Sequence, residues 1–232
     1  MTPMADWMND IPRAVVQAQR ALRASVPDLA RRFALETEFL EDEVATVRAE
    51  QASGGAVPEL AYADIAHGRV SPEQIARIHR RGCVVVRGVF DAAQVQAWNE
   101  EIHRYIDGND YYAHARAKAG LDKYFSALAS GRPQIFGLYW SRPQMQARQD
   151  ERMHTTRAFL NRLWTFEKNG TRFFDPDRQA NYADRIRRRE PGDSTLGLSP
   201  HSDGGSVERW CEPTFRHVYR EVFDGDLSRF DP

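Results

Sequence analysis

Cysteine is nearly missing: the 232-residue chain has two, Cys83 and Cys211. They fit no metal-ligand spacing and cannot form the dense staple set of a small secreted domain, so they read as reduced thiols. Charge of either sign is not in excess. The formal net charge is −1, which excludes the broad basic field of a nucleic-acid-binding domain. No apolar run approaches the roughly 18 residues that a membrane span requires. The first residues hold no basic-then-apolar signal pattern, so a cytoplasmic reading follows by default. Internal repeats and low-complexity tracts are also missing. Hydrophobic residues at 41% and charged residues at 28% are ordinary for a globular protein, and the length suits one substantial domain.

The N-terminal part reads as helix. Apolar residues recur from Ile11 through Val15, Ala18 and Leu22, and Pro27 interrupts the pattern. Phe33, Leu40, Val44 and Val47 continue a second stripe, flanked by acidic residues that suit a solvated face. The small residues of 51–58 mark a loop. The expected organisation is therefore a helical extension over 1–55 and a core domain over 56–232.

Three stretches announce helix starts. Ser71-Pro72-Glu73-Gln74 and Ser141-Arg142-Pro143-Gln144 are capping boxes, and Asp91 precedes a third amphipathic run. Gly82, Asp107-Gly108 and Asn169-Gly170 are the expected helix ends. Strands are expected near 83–87, 134–140, 181–189 and 194–203, where β-branched or alternating residues lie between turn signals. Tyr139 and Trp140 are candidate walls of a substrate pocket, although core packing is the commoner role for such aromatics. Arg185 and Arg187 share one strand face. Most such arginines form a solvated edge; the sharper reading points one of them inward, to meet a carboxylate in bidentate fashion.

The densest chemistry sits at His201-Ser202-Asp203, behind the turn at Pro191-Gly192 and the alternating Leu196 and Leu198. Residues two apart on a strand point to one face. An imidazole and a carboxylate so placed are two-thirds of the facial triad that holds non-haem Fe(II). His217, on an expected last helix opened by Glu212-Pro213, is the one histidine further on, and a helix-surface role suits it better than that of third ligand.

The run from Tyr182 to Asp193, followed by Leu196-Gly-Leu-Ser-Pro-His-Ser-Asp-Gly-Gly-Ser-Val-Glu-Arg-Trp210, resembles the YbiU-like family. That family is distantly similar to phytanoyl-CoA dioxygenases and other Fe(II)/2-oxoglutarate oxygenases. The resemblance extends over most of the chain. It implies an α+β chain with a double-stranded β-helix (jelly-roll) core, Fe(II) and 2-oxoglutarate as cofactors, and hydroxylation of a small-molecule substrate. It implies His201 and Asp203 as the first two metal ligands. Arg185 and Arg187 are the residues offered for 2-oxoglutarate.

The third ligand implied by the family is a distal histidine followed by a basic residue. Residues 204–232 contain nothing resembling that region. A jelly roll has eight strands, and four are read here. The chain is thus expected to be the N-terminal portion of a longer protein, with open sheet edges that favour self-association and no nucleic-acid or membrane partner. Two other readings stay open: a non-catalytic fragment, and a cupin-like module that binds a small ligand without oxidising it.

Overall fold

Most of the described helices begin where a side chain satisfies free backbone N–H groups. In the computed structural model, which describes residues 10–110, 113, 135–188, 190–192 and 210–227, Asp10 caps helix α1 (Ile11–Ser25) by accepting from Arg13 N. Helix α2 (Leu29–Ala52) follows the break at 26–28. Two compact units are present, one formed by 1–56 with 200–232 and the other by 57–199.

In the first unit, helices α8 (Pro213–Val218) and α9 (Arg220–Asp224) accompany α1 and α2. Pro213 sits in the first turn of α8, and the Glu212 carboxylate accepts from Phe215 N. The single last helix expected from the sequence is thus two, divided at Tyr219. Arg32 of α2 donates to the Phe223 carbonyl and to Pro27 O, and Arg216 donates to Ser25 Oγ at 3.2 Å. Trp210 packs on Tyr219, with ring centroids 4.9 Å apart.

The second unit holds the elements that position the candidate site. Strand β1 (Glu59–Ala61) pairs in parallel with β2 (Val85–Arg87). Between them lie α3 (Tyr62–Ala66) and α4 (Pro72–Arg81). The capping box at Ser71 and Gln74 is formed, and Gly82 ends α4 with φ +63°, a left-handed conformation that glycine adopts without strain. Leu60, Ile65 and Ile78 form a buried cluster, with Val70, Val84, Val86, Phe159 and Leu163 packed against it. Burying each large aliphatic side chain there contributes about 1.5–3 kcal/mol.

Helix α5 (Ala92–Gly108) is capped by Asp91. Strand β3 (Ile135–Phe136) pairs antiparallel with β6 (Ile186–Arg187), Phe136 opposite Ile186. Helix α6 (Arg142–Gln149) starts at the Ser141 capping box. A single helix from the Ser141 cap to an end near Asn169-Gly170 was expected. Instead the chain is extended at Asp150 (ψ 133°), whose carboxylate caps a second helix, α7 (Glu151–Asn161). Asn169-Gly170 is not a helix end. Both residues have positive φ, at +51° and +75°, and they turn the hairpin of β4 (Glu167–Lys168) and β5 (Thr171–Arg172). Asn-Gly is a favoured two-residue hairpin turn because both central positions need that conformation.

The fold is mixed helix and small sheet. Among the described residues every sheet is two-stranded, with strands of two or three residues. The seven- to nine-residue strands expected near 134–140 and 181–189 shorten to Ile135–Phe136 and Ile186–Arg187. A residue run with strand propensity forms a ladder only where a second backbone lies beside it. The expected strand at 194–203 lies outside the described residues.

Candidate functional site

The second unit is pinned at its centre by Gln144. As the third residue of its helix it closes the capping box: Oε1 accepts from Ser141 N at 3.1 Å and from Ser141 Oγ at 2.8 Å. Its Nε2 points the other way and donates to Leu138 O and to Asp184 O, each at 3.0 Å. Gln144 is only 5% exposed. One amide therefore joins a helix start, the segment after β3 and the segment before β6.

Arg148, one turn along α6, repeats the connection. Its Nη2 donates to Tyr139 O at 2.6 Å, and its guanidinium pairs with the Asp184 carboxylate. It also lies over the Trp140 ring, 5.1 Å from the centroid. The Arg148 side chain is 9% exposed and that of Asp184 is 57% exposed. Burial raises the Asp184 carboxyl pKa, but hydrogen bonds from Arg148 and Gln144 outweigh it and hold the carboxyl below the usual carboxylate range.

Tyr139 and Trp140 both line a cleft of about 440 Å³ with Glu101, Tyr105 and Arg142. Trp140 is exposed. Glu101 and Arg142 form an ion pair at its edge, with Arg142 Nε 3.1 Å from Glu101 Oε1. The wall is apolar with one charged pair, a composition suited to a small organic molecule. A second cleft, of about 250 Å³, lies against Trp98, Gln144, Arg148, Arg157 and Asp184.

Of the arginines picked out from the sequence, Arg185 is exposed and lies over the Tyr139 ring at 5.8 Å. Arg187 is exposed on β6, opposite Ile135. Arg188 pairs with Asp107 and Glu190, both at 3.2 Å. His201 and Asp203 lie outside the described residues. Among the described residues no group of three His, Cys, Asp or Glu could hold a metal. His217 Nε2 is 3.3 Å from Arg220 Nη1 on the same surface. No helix among the described residues is long and apolar enough to cross a membrane.

Sequence reasoning named Gln144 only as a cap and passed over Arg148, Arg157 and Asp184. Gln74 occupies the same place in the same kind of capping box, so the motif alone does not mark Gln144. The signal is burial, which appears only when α6 lies against 138 and 184.

Acid should weaken this unit. Besides Asp184, Asp150 is held below the usual carboxylate range, chiefly by the Arg152 hydrogen bond working against burial. A carboxyl whose folded pKa lies below its unfolded value stabilises fully above the unfolded value. That contribution is lost as pH falls through the folded one. We expect the urea midpoint to hold from pH 7 to about 5 and to fall below about pH 4. Asp184→Asn should flatten part of that fall; an identical acid limb would remove Asp184 from the account.

Comparison with known proteins places this arrangement. The Escherichia coli K12 protein YbiU is 42% identical over 224 residues, which is 96% of this chain and 53% of that protein. The crystal structure of the hypothetical protein JW0805 from Escherichia coli matches with a TM-score of 0.75 at 39% identity, covering 95% of this chain and 51% of the other. A proposed oxidoreductase from Salmonella typhimurium LT2 matches with a TM-score of 0.80 at 38% identity, covering 95% and 52%. The chain thus spans about half the length of the relatives it matches. A Gig2-like family model matches residues 5–232, and with that match running almost from end to end, the chain belongs to the Gig2-like family.

Proposed function

We propose that this chain carries part of an Fe(II)/2-oxoglutarate-dependent oxygenase, of the hydroxylating type, acting on a small molecule. The observation that carries the reading is His201-Ser202-Asp203, an imidazole nitrogen and a carboxylate oxygen at strand spacing in a member of this family. Such a donor set fits Fe(II). The name of the Salmonella relative, a proposed oxidoreductase, supports oxidation as the reaction class. A jelly-roll core and kinship with phytanoyl-CoA dioxygenases belong to the same proposal.

On this reading His201 and Asp203 would each give the metal one ligand. With 2-oxoglutarate and oxygen, bound iron supplies the oxidising chemistry, and the polypeptide supplies geometry and a dry pocket. Arg185 and Arg187 are the residues proposed for the 2-oxoglutarate carboxylate, through the planar fork of the guanidinium. The cleft at Tyr139 and Trp140 is proposed, on its own geometry, as a pocket for a small organic molecule.

Anaerobic Fe(II) titration tests the ligand assignment. The chain should take up one equivalent of iron, His201→Ala should abolish uptake, and His217→Ala should leave it unchanged. Retained uptake in His201→Ala would sink the assignment. Oxygen-dependent release of succinate from 2-oxoglutarate then separates an oxygenase from a module that only binds.

A further inference from the structure

The arginines along α6 and α7 are paired with carboxylates, with one exception. Arg142 meets Glu101, Arg148 meets Asp184, and Arg152 meets Asp150 at 2.8 Å. Just beyond α7, Arg162 reaches both oxygens of Asp177, at 2.7 and 2.6 Å. Arg157, in the middle of α7, has no carboxylate partner among the described residues. Its Nη1 is buried and makes no hydrogen bond. Buried donors are almost always satisfied, and this one has no protein acceptor among the described residues.

Arg157 lines both the cleft of about 250 Å³ beside Asp184 and a cleft of about 290 Å³ whose other walls include Asn161, Phe174, Arg178, Gln179 and Asn181. Among the described residues, two guanidiniums and three carboxamides line the latter, and no carboxylate does. Its outer wall is held in place. Asn161 Nδ2 donates to Pro176 O at 3.0 Å, Gln179 Nε2 donates to His154 O at 2.9 Å, and Arg162 clamps Asp177. The segment carrying Arg178 is therefore fixed to α7 on both sides of that residue. Arg178 is exposed and has no ion pair among the described residues. Of the two nearby acids, Asp177 is engaged by Arg162, and Asp175 Oδ1 accepts from Asp177 N at 3.0 Å.

We propose that this cleft binds a small oxyanion, a carboxylate or a phosphate, held by Arg157 from the helix and by Arg178 from the loop. A planar guanidinium matches either group with two parallel hydrogen bonds. The carboxamides of Asn161, Gln179 and Asn181 can donate to further oxygens. The cleft lies wholly within the 57–199 unit, and the proposal does not rest on iron or on His201.

Isothermal titration of the metal-free 232-residue chain at fixed ionic strength tests it, with malonate and inorganic phosphate as the two probes. At least one should bind. Arg157→Gln and Arg178→Gln should each weaken that binding by about tenfold or more. Arg172→Gln, at an exposed hairpin position, should bind as the unaltered chain does. Arg178→Gln keeps the test decisive should Arg157→Gln fail to fold, because Arg178 is exposed. Binding of malonate alone identifies a carboxylate site, and binding of phosphate alone a phosphate site. Absence of binding by both probes at millimolar concentration overturns the proposal, as does unaltered affinity in Arg178→Gln.

Discussion

Phe136→Ala should be among the most destabilising single changes in the 57–199 unit. Phe136 is 0% exposed and, with Ile106, is among the largest fully buried side chains. It lies on β3 opposite Ile186, in a sheet with two residue pairs among the described residues. Removing a buried phenyl ring loses its transfer free energy and leaves a cavity that the surroundings fill only in part. The cost is about 3–5 kcal/mol. Against a total stability of about 5–15 kcal/mol, that is a large fraction. A chain of this length should lose about 2–4 °C of melting temperature per kcal/mol. Urea denaturation checks the effect, as a lower midpoint with an unchanged slope. Tyr182→Ala, at a position 85% exposed in the segment that leads into β6, should change stability by less than about 0.5 kcal/mol. A loss below about 1 kcal/mol for Phe136→Ala would mean that β3 is not part of the core.

The second large effect is expected at Gln144, where one protein contains its own control. Ser71–Gln74 and Ser141–Gln144 make the same reciprocal capping contacts. Gln74 stops there; Gln144 also donates to Leu138 O and Asp184 O from a buried position. Gln74→Ala should therefore cost about 1 kcal/mol, the usual value of a cap. Gln144→Ala should cost about 2–4 kcal/mol, because it also removes the amide donor to the part-buried carbonyl oxygens of Leu138 and Asp184. Ser141→Ala removes the cap alone and should fall near the Gln74 value. Gln144→Glu should be at least as harmful as the alanine change, since it would set a negative charge among the same acceptors. Denaturant midpoints for the four variants give the comparison. Equal losses at Gln74 and Gln144 would show that the bonds to 138 and 184 contribute nothing.

These two residues also show how far the sequence could be read. The capping boxes at Ser71 and Ser141, the Asp91 cap, the glycine stop at Gly82 and the turn at Pro191-Gly192 were all legible, and all are formed. Each depends on contacts within about four residues, so the local sequence carries the information. The same locality misled at two places. Asn169-Gly170 was taken for a helix end when it turns a hairpin. The apolar stripe running past Asp150 hid the extended residue that divides α6 from α7. Aspartate is a good cap wherever the chain leaves the helix, but periodicity alone did not show that it would leave there.

What the sequence alone determined was where helices start, which residues punctuate them, and that an imidazole and a carboxylate stand two apart at His201 and Asp203. What only the tertiary structure decided was pairing. β1 and β2 run parallel although α3 and α4 separate them in sequence, and β3 finds β6 fifty residues away. Gln144 and Arg148 became the junction of three segments, and Arg157 was left without a carboxylate among the described residues. The physical reason is range. A cap is settled by hydrogen bonds inside one turn of backbone. The partner of a buried amide or guanidinium depends on which distant segment burial brings beside it, and no local pattern encodes that.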